Sequence, residues 1–197
     1  MTLILASQSR WRQALLKAAG VAFTAEAAYI DESAIIASMQ HRKATPRDIA
    51  DALAELKAAK ISARFPDTHV IGSDQVLECE GKLFEKARTL SEARDTLRAL
   101  RARQHRLISA AVIVRNGSPV WRAVDEATLK MRDFSDAFLE TYLQQAGDIV
   151  TTSVGAYTIE GPGIQLFAQV RGDQFTIMGL PLLPLLQALR DQGLLTT

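Results

Sequence analysis

Along this chain the apolar positions switch several times between a helical and an extended rhythm. A short apolar run, Leu3-Ile-Leu-Ala, breaks at Ser7-Gln-Ser9-Arg10-Trp11-Arg12. Trp11, Leu15, Leu16 and Ala19 then share one helical face, and Gly20 stops it. This predicts a buried strand, a tight turn and a helix N-terminus. Val21 to Glu32 reads as extended, ending in Ile30-Asp31-Glu32, and a polar loop around Gln40 to Thr45 leads to Pro46. A helix follows to about Arg64, with Ile49, Leu53, Leu56 and Ile61 on its apolar face, and Pro66-Asp67 ends it. His69-Val-Ile-Gly72 predicts a buried strand whose end delivers Ser73-Asp74-Gln75. Val76 to Glu80 alternates, and Glu80-Gly81 marks a hairpin turn.

Leu90, Ala93, Leu97 and Leu100 predict a helix over Thr89 to Arg103, opened by Thr89, Ser91 and Glu92. His105 to Arg115 is rich in β-branched residues, and Asn116-Gly117 turns it into a second strand, Val120 to Met131. Ser135 to Gln145 reads as a helix capped by Ser135. Tyr157 to Val170 reads as extended and interrupted by Gly161-Pro162-Gly163. Pro181 to Arg190 is an apolar helix closed at Gly193. Strands alternating with helices early, then antiparallel hairpins, predict a mixed sheet in an α/β or α+β protein. With no repeat, linker or low-complexity tract, residues 1–197 read as a single domain.

A chain of 197 residues can bury one substantial core. A formal net charge of +1 gives no global field for nucleic acid or an acidic membrane, so any anion site is local. The single cysteine, Cys79, excludes an internal disulfide and fits a reducing compartment. The opening residues are too short and uncharged a stretch for a signal peptide. The apolar run Gly179 to Leu189 is too short to span a bilayer and carries two prolines. The expected location is the cytoplasm.

The first helix N-terminus offers unpaired N–H groups and a positive dipole end, and Ser7, Ser9, Arg10 and Arg12 strengthen the case for a phosphate site there. Glu32 and Asp74 could hold Mg²⁺ through oxygen ligands, and one of them could orient a water. Arg12, Lys57 and Lys86 could clamp a polyphosphate. Taken singly, each of these is more commonly a helix cap, a solvated turn or a surface cation. His41, His69 and His105 lack metal-ligand spacing, and one cysteine excludes a Cys-based zinc site. His105 reads as a hydrogen-bonding residue at a strand start, and Cys79 as a packed thiol. There is no Gly-x-Ser-x-Gly elbow and no Walker loop.

The ordered set is more specific than its parts. Leu-Ala-Ser7-x-Ser9-x-x-Arg12-x-x-Leu15-Leu16, Ile30-Asp31-Glu32, Leu53-Ala-x-x-Lys57-Ala, Ile71-Gly72-Ser73-Asp74-Gln75-Val76, Lys86, Gly155-Ala-Tyr157-x-Ile-Glu160-Gly161 and the tail from Gly172 to Leu182 resemble the Maf family over nearly the whole chain. The resemblance implies a Maf-like, inosine-triphosphatase-related fold: an elongated mixed sheet flanked by helices, with a central cleft. It implies a cytoplasmic, divalent-metal-dependent pyrophosphatase that cuts nucleoside triphosphates to monophosphate and pyrophosphate, linked to house-cleaning of modified nucleotides and to cell-division arrest. By the same resemblance, Asp74 matches the family's catalytic acidic residue. The expected catalytic set is Asp74, Glu32, Lys57 and Lys86, with Mg²⁺ or Mn²⁺ on Asp74 and Glu32. Substrate would be bound by Ser7, Ser9, Arg12, Trp11, Gln75 and Glu160.

Trp11, Gln75 and Glu160 stand at positions associated with base choice, where pyrimidine-directed members carry Arg, Thr and Gln. The set resembles the branch acting on 7-methyl-GTP. A cationic methylated guanine stacks well on Trp, and a carboxylate accepts from its N1–H and amine. The chain departs from the family at Arg10, where Pro is common, at Gln13, at Glu85 and Ala87 on either side of Lys86, where Gly and Pro are usual, and at Val154. Expected partners are a nucleoside triphosphate and a second copy in a homodimer, with no nucleic acid or membrane. The alternatives are a non-catalytic nucleotide-binding regulator of division and a broad-specificity triphosphate pyrophosphatase.

Overall fold

The structure is a computed structural model that describes residues 2–196. In chain order the elements are β1 (Leu3–Leu5), α1 (Arg10–Ala18), β2 (Thr24–Ala25), α2 (Glu32–His41), α3 (Pro46–Ser62), β3 (His69–Cys79), β4 (Lys82–Phe84), α4 (Leu90–Leu100), β5 (Gln104–Arg115) and β6 (Ser118–Met131). They continue with α5 (Asp136–Ala146), β7 (Phe167–Arg171), α6 (Gln174–Ile177) and α7 (Leu182–Asp191). Among the described residues, seven strands form one mixed sheet in the order β2-β1-β3-β5-β6-β7, with β4 paired to β3. Helices accompany the sheet, which is the α/β class expected. No helix among these residues is long and apolar enough to cross a membrane.

The chain divides into two compact units. The first runs to Gln75 and adds Ile108–Asp125 and the stretch from Gln174; the second is Val76–Leu107 with Glu126–Asp173.

In the first unit, β1 pairs in parallel with β2 and β3, in register Leu3↔His69 and Leu5↔Ile71. Leu3, Leu5 and Ile71 pack in one buried cluster with Leu15 and Leu16 of α1 and Leu182, Leu185 and Leu189 of α7. Side chains alternate along a strand, so Gly72 points the other way, toward α3. A Cβ on Gly72 would stand 1.9 Å from the Ala54 carbonyl oxygen and 2.8 Å from the Ala58 Cβ. Glycine opposite two alanines therefore lets the α3 backbone lie directly on β3. The helix starts at a capping box, Thr45 with Asp48, and has Pro46 in its first turn.

Expectations about α2, α3 and β3 need correction. Glu32 does not end an extended stretch; it opens α2, capped by Asp31, whose carboxylate accepts from the Ala34 N–H at 3.0 Å. The helix buries no side chain fully, so its apolar periodicity is weak. Leu56 is 43% exposed, because Lys57 takes the inward position on α3. Ser73-Asp74-Gln75 lies inside β3, which runs unbroken to Cys79, and Val76 to Cys79 is buried throughout instead of alternating.

In the second unit, a bidentate pair from Arg94 to Glu140, at 2.6 and 2.8 Å, joins α4 and α5. Leu90 is exposed rather than packed, since it follows directly on the Thr89 cap. The stretch Tyr157 to Val170 is not extended throughout. It holds a 3-10 turn at Pro162–Leu166, and only Phe167–Arg171 is a strand, antiparallel to β6. A Cβ on Gly163 would stand 2.4 Å from the Thr158 carbonyl oxygen, so the chain folds back on itself there.

Candidate active site

The period-2 geometry of β3 sorts its polar residues. Asp74 shares the Gly72 face, toward α3. Lys57 lies three and one residues from Ala54 and Ala58, and its ammonium reaches Asp74 Oδ1 at 2.5 Å and Glu32 Oε1 at 2.7 Å. Lys57 and Asp74 are 9% and 8% exposed at their side chains, whereas Glu32 is 48% exposed. One cation thus binds two carboxylates, one buried and one facing solvent. A buried charge persists only when paired, and Lys57 and Asp74 satisfy each other.

On the opposite face, Ser73 donates from Oγ to the Gly179 carbonyl at 3.1 Å. Arg12, from the first turn of α1, is buried and donates from Nε to the same carbonyl at 2.9 Å, and from Nη1 to the Ser73 carbonyl at 2.9 Å and Ser7 Oγ at 3.4 Å. Three of its five N–H donors are engaged by the chain. Burial pushes the guanidinium below its ordinary value, and the charges of Asp74 and Glu32 oppose that fall. Gly179 has φ +102, and a Cβ there would approach Arg12 Nε at 3.5 Å. Ser9 caps α1, its Oγ accepting from the Arg12 N–H, while Ser7 Oγ accepts from the Ser9 N–H at 3.2 Å. Gln13 donates to the Ser7 carbonyl at 3.3 Å. Ser7, Ser9 and Arg12 are thus one hydrogen-bonded turn.

Gln75 is half-buried and donates from Nε2 to Ser109 Oγ and to the carbonyls of Thr176 and Ile177, each at 3.0 Å. Trp11 is also half-buried, and the Arg10 guanidinium carbon sits 4.8 Å from its ring centroid. Ser109 escapes a motif reading, and the tail motif that holds Thr176 and Gly179 gives no sign that their carbonyls are acceptors here. Carbonyls carry no sequence signal of their own, and only Gly179, in the tail stretch, hints at a close approach.

Lys86 and Glu160 belong to the second unit. An isolated antiparallel bridge, Lys86↔Val154, ties Lys86 to the turn that carries Glu160. Gly155 has φ +83, and a Cβ there would meet Leu77 Cδ1 at 2.6 Å. Tyr157 anchors the turn: its hydroxyl shares a 2.7 Å hydrogen bond with His105 Nε2, and its ring packs edge-on against Phe167. The Tyr142 hydroxyl donates to the Ala156 carbonyl at 3.2 Å. Both side-chain expectations outside the site also hold: His105 hydrogen-bonds at a strand start, and Cys79 is a buried free thiol.

Among the described residues no three His, Cys, Asp or Glu side chains converge as a metal cage. Asp74 and Glu32 nevertheless converge on one cation, the Lys57 ammonium, and two hard oxygen ligands suit Mg²⁺ or Mn²⁺, which commonly take one or two carboxylates together with substrate phosphates. The donor set therefore fits a divalent cation.

A mixed sheet with helices on it, carrying this Ser-Ser-Arg turn and carboxylate–lysine cluster, defines a Maf-like protein, and the chain belongs to that family: the family's profile matches residues 2–192. Its relatives narrow the comparison. The chain is 52% identical over 195 residues, 98% of both chains, to a protein of Sphingopyxis alaskensis named nucleoside triphosphate pyrophosphatase. A Caulobacter vibrioides protein of the same name is 51% identical over 98% of this chain and 96% of its own. A Rhizobium meliloti protein named 7-methyl-GTP pyrophosphatase is 49% identical over 97% of this chain and 96% of its own.

Proposed function

We propose that this protein hydrolyses nucleoside triphosphates between the α and β phosphates, releasing monophosphate and pyrophosphate, with 7-methyl-GTP as the favoured substrate. The observation that carries the reading is Lys57 held between Asp74 and Glu32. Two carboxylates and one ammonium at one point supply an acceptor for a water proton and a donor for a phosphate oxygen. The names of relatives near half identity support the same chemistry.

Asp74 is the group that orients the water and accepts its proton, since its position inside β3 and its bond to Lys57 fix its direction. Lys57 donates to the phosphate as negative charge develops on the leaving pyrophosphate. The Ser7–Ser9 turn and the α1 N-terminus receive phosphate oxygens, and Arg12 keeps a positive field behind them. Lys57 and Arg12 balance Asp74 and Glu32 in formal charge, so the cluster itself offers no surplus for a triphosphate. A divalent cation held by Asp74 and Glu32 would supply that surplus when bound, neutralising the phosphates. Trp11 and Gln75 face the base in this reading; the roles of Lys86 and Glu160 rest on the family resemblance alone.

The test is a nucleotide panel with Mg²⁺ or Mn²⁺, read by chromatography. Monophosphate plus pyrophosphate, fastest from 7-methyl-GTP, is the expected result. Diphosphate as main product would refute the bond assignment. Equal rates on all bases would identify a broad-specificity enzyme, and tight binding without turnover a regulator.

A further inference from the structure

We propose that Ser109 is a positioning residue for base recognition: with the Thr176 and Ile177 carbonyls it locks the Gln75 amide so that only its carbonyl oxygen is offered to the nucleotide. The inference rests on the reading that Gln75 faces the base. Gln75 Nε2 has three acceptors at 3.0 Å, and two of them are peptide carbonyls. Turning the amide round would put its oxygen against those two oxygens, so its orientation is fixed by chemistry. Ser109 is fully buried on β5, and its hydroxyl donates to the Thr176 carbonyl at 2.8 Å. Its one proton is thereby committed, and its lone pairs face Gln75. The Thr176 hydroxyl donates to Asp125 Oδ2 at 2.6 Å, which holds the carbonyls in place. Among the described residues no donor reaches Gln75 Oε1.

An acceptor fixed in this way selects a base edge that presents donors. Guanine presents N1–H and an exocyclic amine, and a positive charge on the methylated ring strengthens both. Guanine O6, an acceptor, is repelled, so the same oxygen also sets which way round the ring lies. A Gln75 free to rotate would accept either edge and would discriminate less.

The experiment combines side-chain amide exchange with kinetics. The Gln75 amide signal, assigned by its loss in Gln75→Ala, should exchange slowly with solvent in the substrate-free protein and faster in Ser109→Ala. KM for GTP and 7-methyl-GTP should rise about three- to tenfold in Ser109→Ala, the size of one hydrogen bond, with kcat changed less than about twofold. In the Gln75→Ala background the Ser109→Ala change should add nothing, because the two act through one amide. Ser109→Thr keeps the hydroxyl and should keep the wild-type KM. Additive losses, or a rapidly exchanging Gln75 amide in the wild type, would overturn the positioning role. Unchanged KM on every nucleotide in Gln75→Ala would instead overturn the base-contact reading beneath it.

Discussion

Around Lys57 the first unit holds formal charges within 3 Å of one another, whereas the buried polar groups that support the Glu160 turn in the second unit are neutral. Asp74 and Lys57 are buried and form an ion pair with each other. His105, Tyr157 and Tyr142 are buried and avoid charge altogether: burial pushes the imidazole down to about 4 and both phenols up. The first arrangement suits moving a proton and meeting a phosphate. The second suits presenting one exposed carboxylate from a stiff turn. The contrast predicts that substitutions of the charged groups around Lys57 alter chemistry, and that those around the second turn alter stability.

The largest expected effect tests how the charged cluster is assembled. Gly72→Ala places a methyl group 1.9 Å from a helix carbonyl, and neither strand nor helix backbone can move without breaking its ladder. A loss of about 3 kcal/mol or more, or failure to accumulate folded protein, should follow in chemical denaturation. Normal stability would mean that α3 is not pressed onto β3. Next, Asp74→Asn keeps shape but removes the proton acceptor. Turnover should fall about a hundredfold or more while the fold survives, since Lys57 retains Glu32. Near-normal turnover would remove Asp74 from the mechanism.

Much of this site was legible in the sequence because its anchors have local signatures. Ser9 before Trp11 and Arg12 marks a cap, Pro46 after a polar loop marks a helix start, and the run His69-Val-Ile-Gly72 marks the strand. What was hidden is tertiary. Asp74 reads as a strand-end residue because Ser, Asp and Gln interrupt the apolar run, yet Gly179, Lys57 and the Ser109–Thr176–Ile177 acceptors satisfy them in turn within β3. The helix opened by Glu32 escaped because Ile35, Ile36 and Met39 are only half-buried, too faint an apolar stripe. Arg12 reads as a phosphate ligand, and no pattern betrays that two main-chain carbonyls hold it.

The neutral cluster should show itself in acid. His105 is neutral in the folded chain down to about pH 4, whereas unfolded histidine takes up a proton near 6.5. Its folded pKa is depressed, so the stability it contributes is present above pH 6.5 and is lost as pH falls toward 4. Between pH 7 and pH 5 the unfolding free energy should drop by about 2 kcal/mol from this residue. His105→Gln should flatten that dependence, although His69, lowered by burial and by Arg115, retains a slope of the same sign. An unchanged slope in the variant would show that His105 is not held neutral.

The smallest effect concerns Trp11, a half-buried ring of the first unit. The Arg10 guanidinium already lies over its ring, so a methylated base finds one cation in residence. If the base takes Trp11's other face, Trp11→Ala costs 7-methyl-GTP about 1 kcal/mol in kcat/KM, a contact of intermediate exposure, and costs GTP less because its ring carries no charge. Arg10→Ala then lowers affinity for both nucleotides alike, by removing a cation near the phosphates. If the base displaces Arg10, the same Arg10→Ala change raises kcat/KM for 7-methyl-GTP and lowers it for GTP. The sign of that difference separates the two geometries, and equal losses on 7-methyl-GTP, GTP and UTP in Trp11→Ala would make Trp11 a packing residue with no part in base choice.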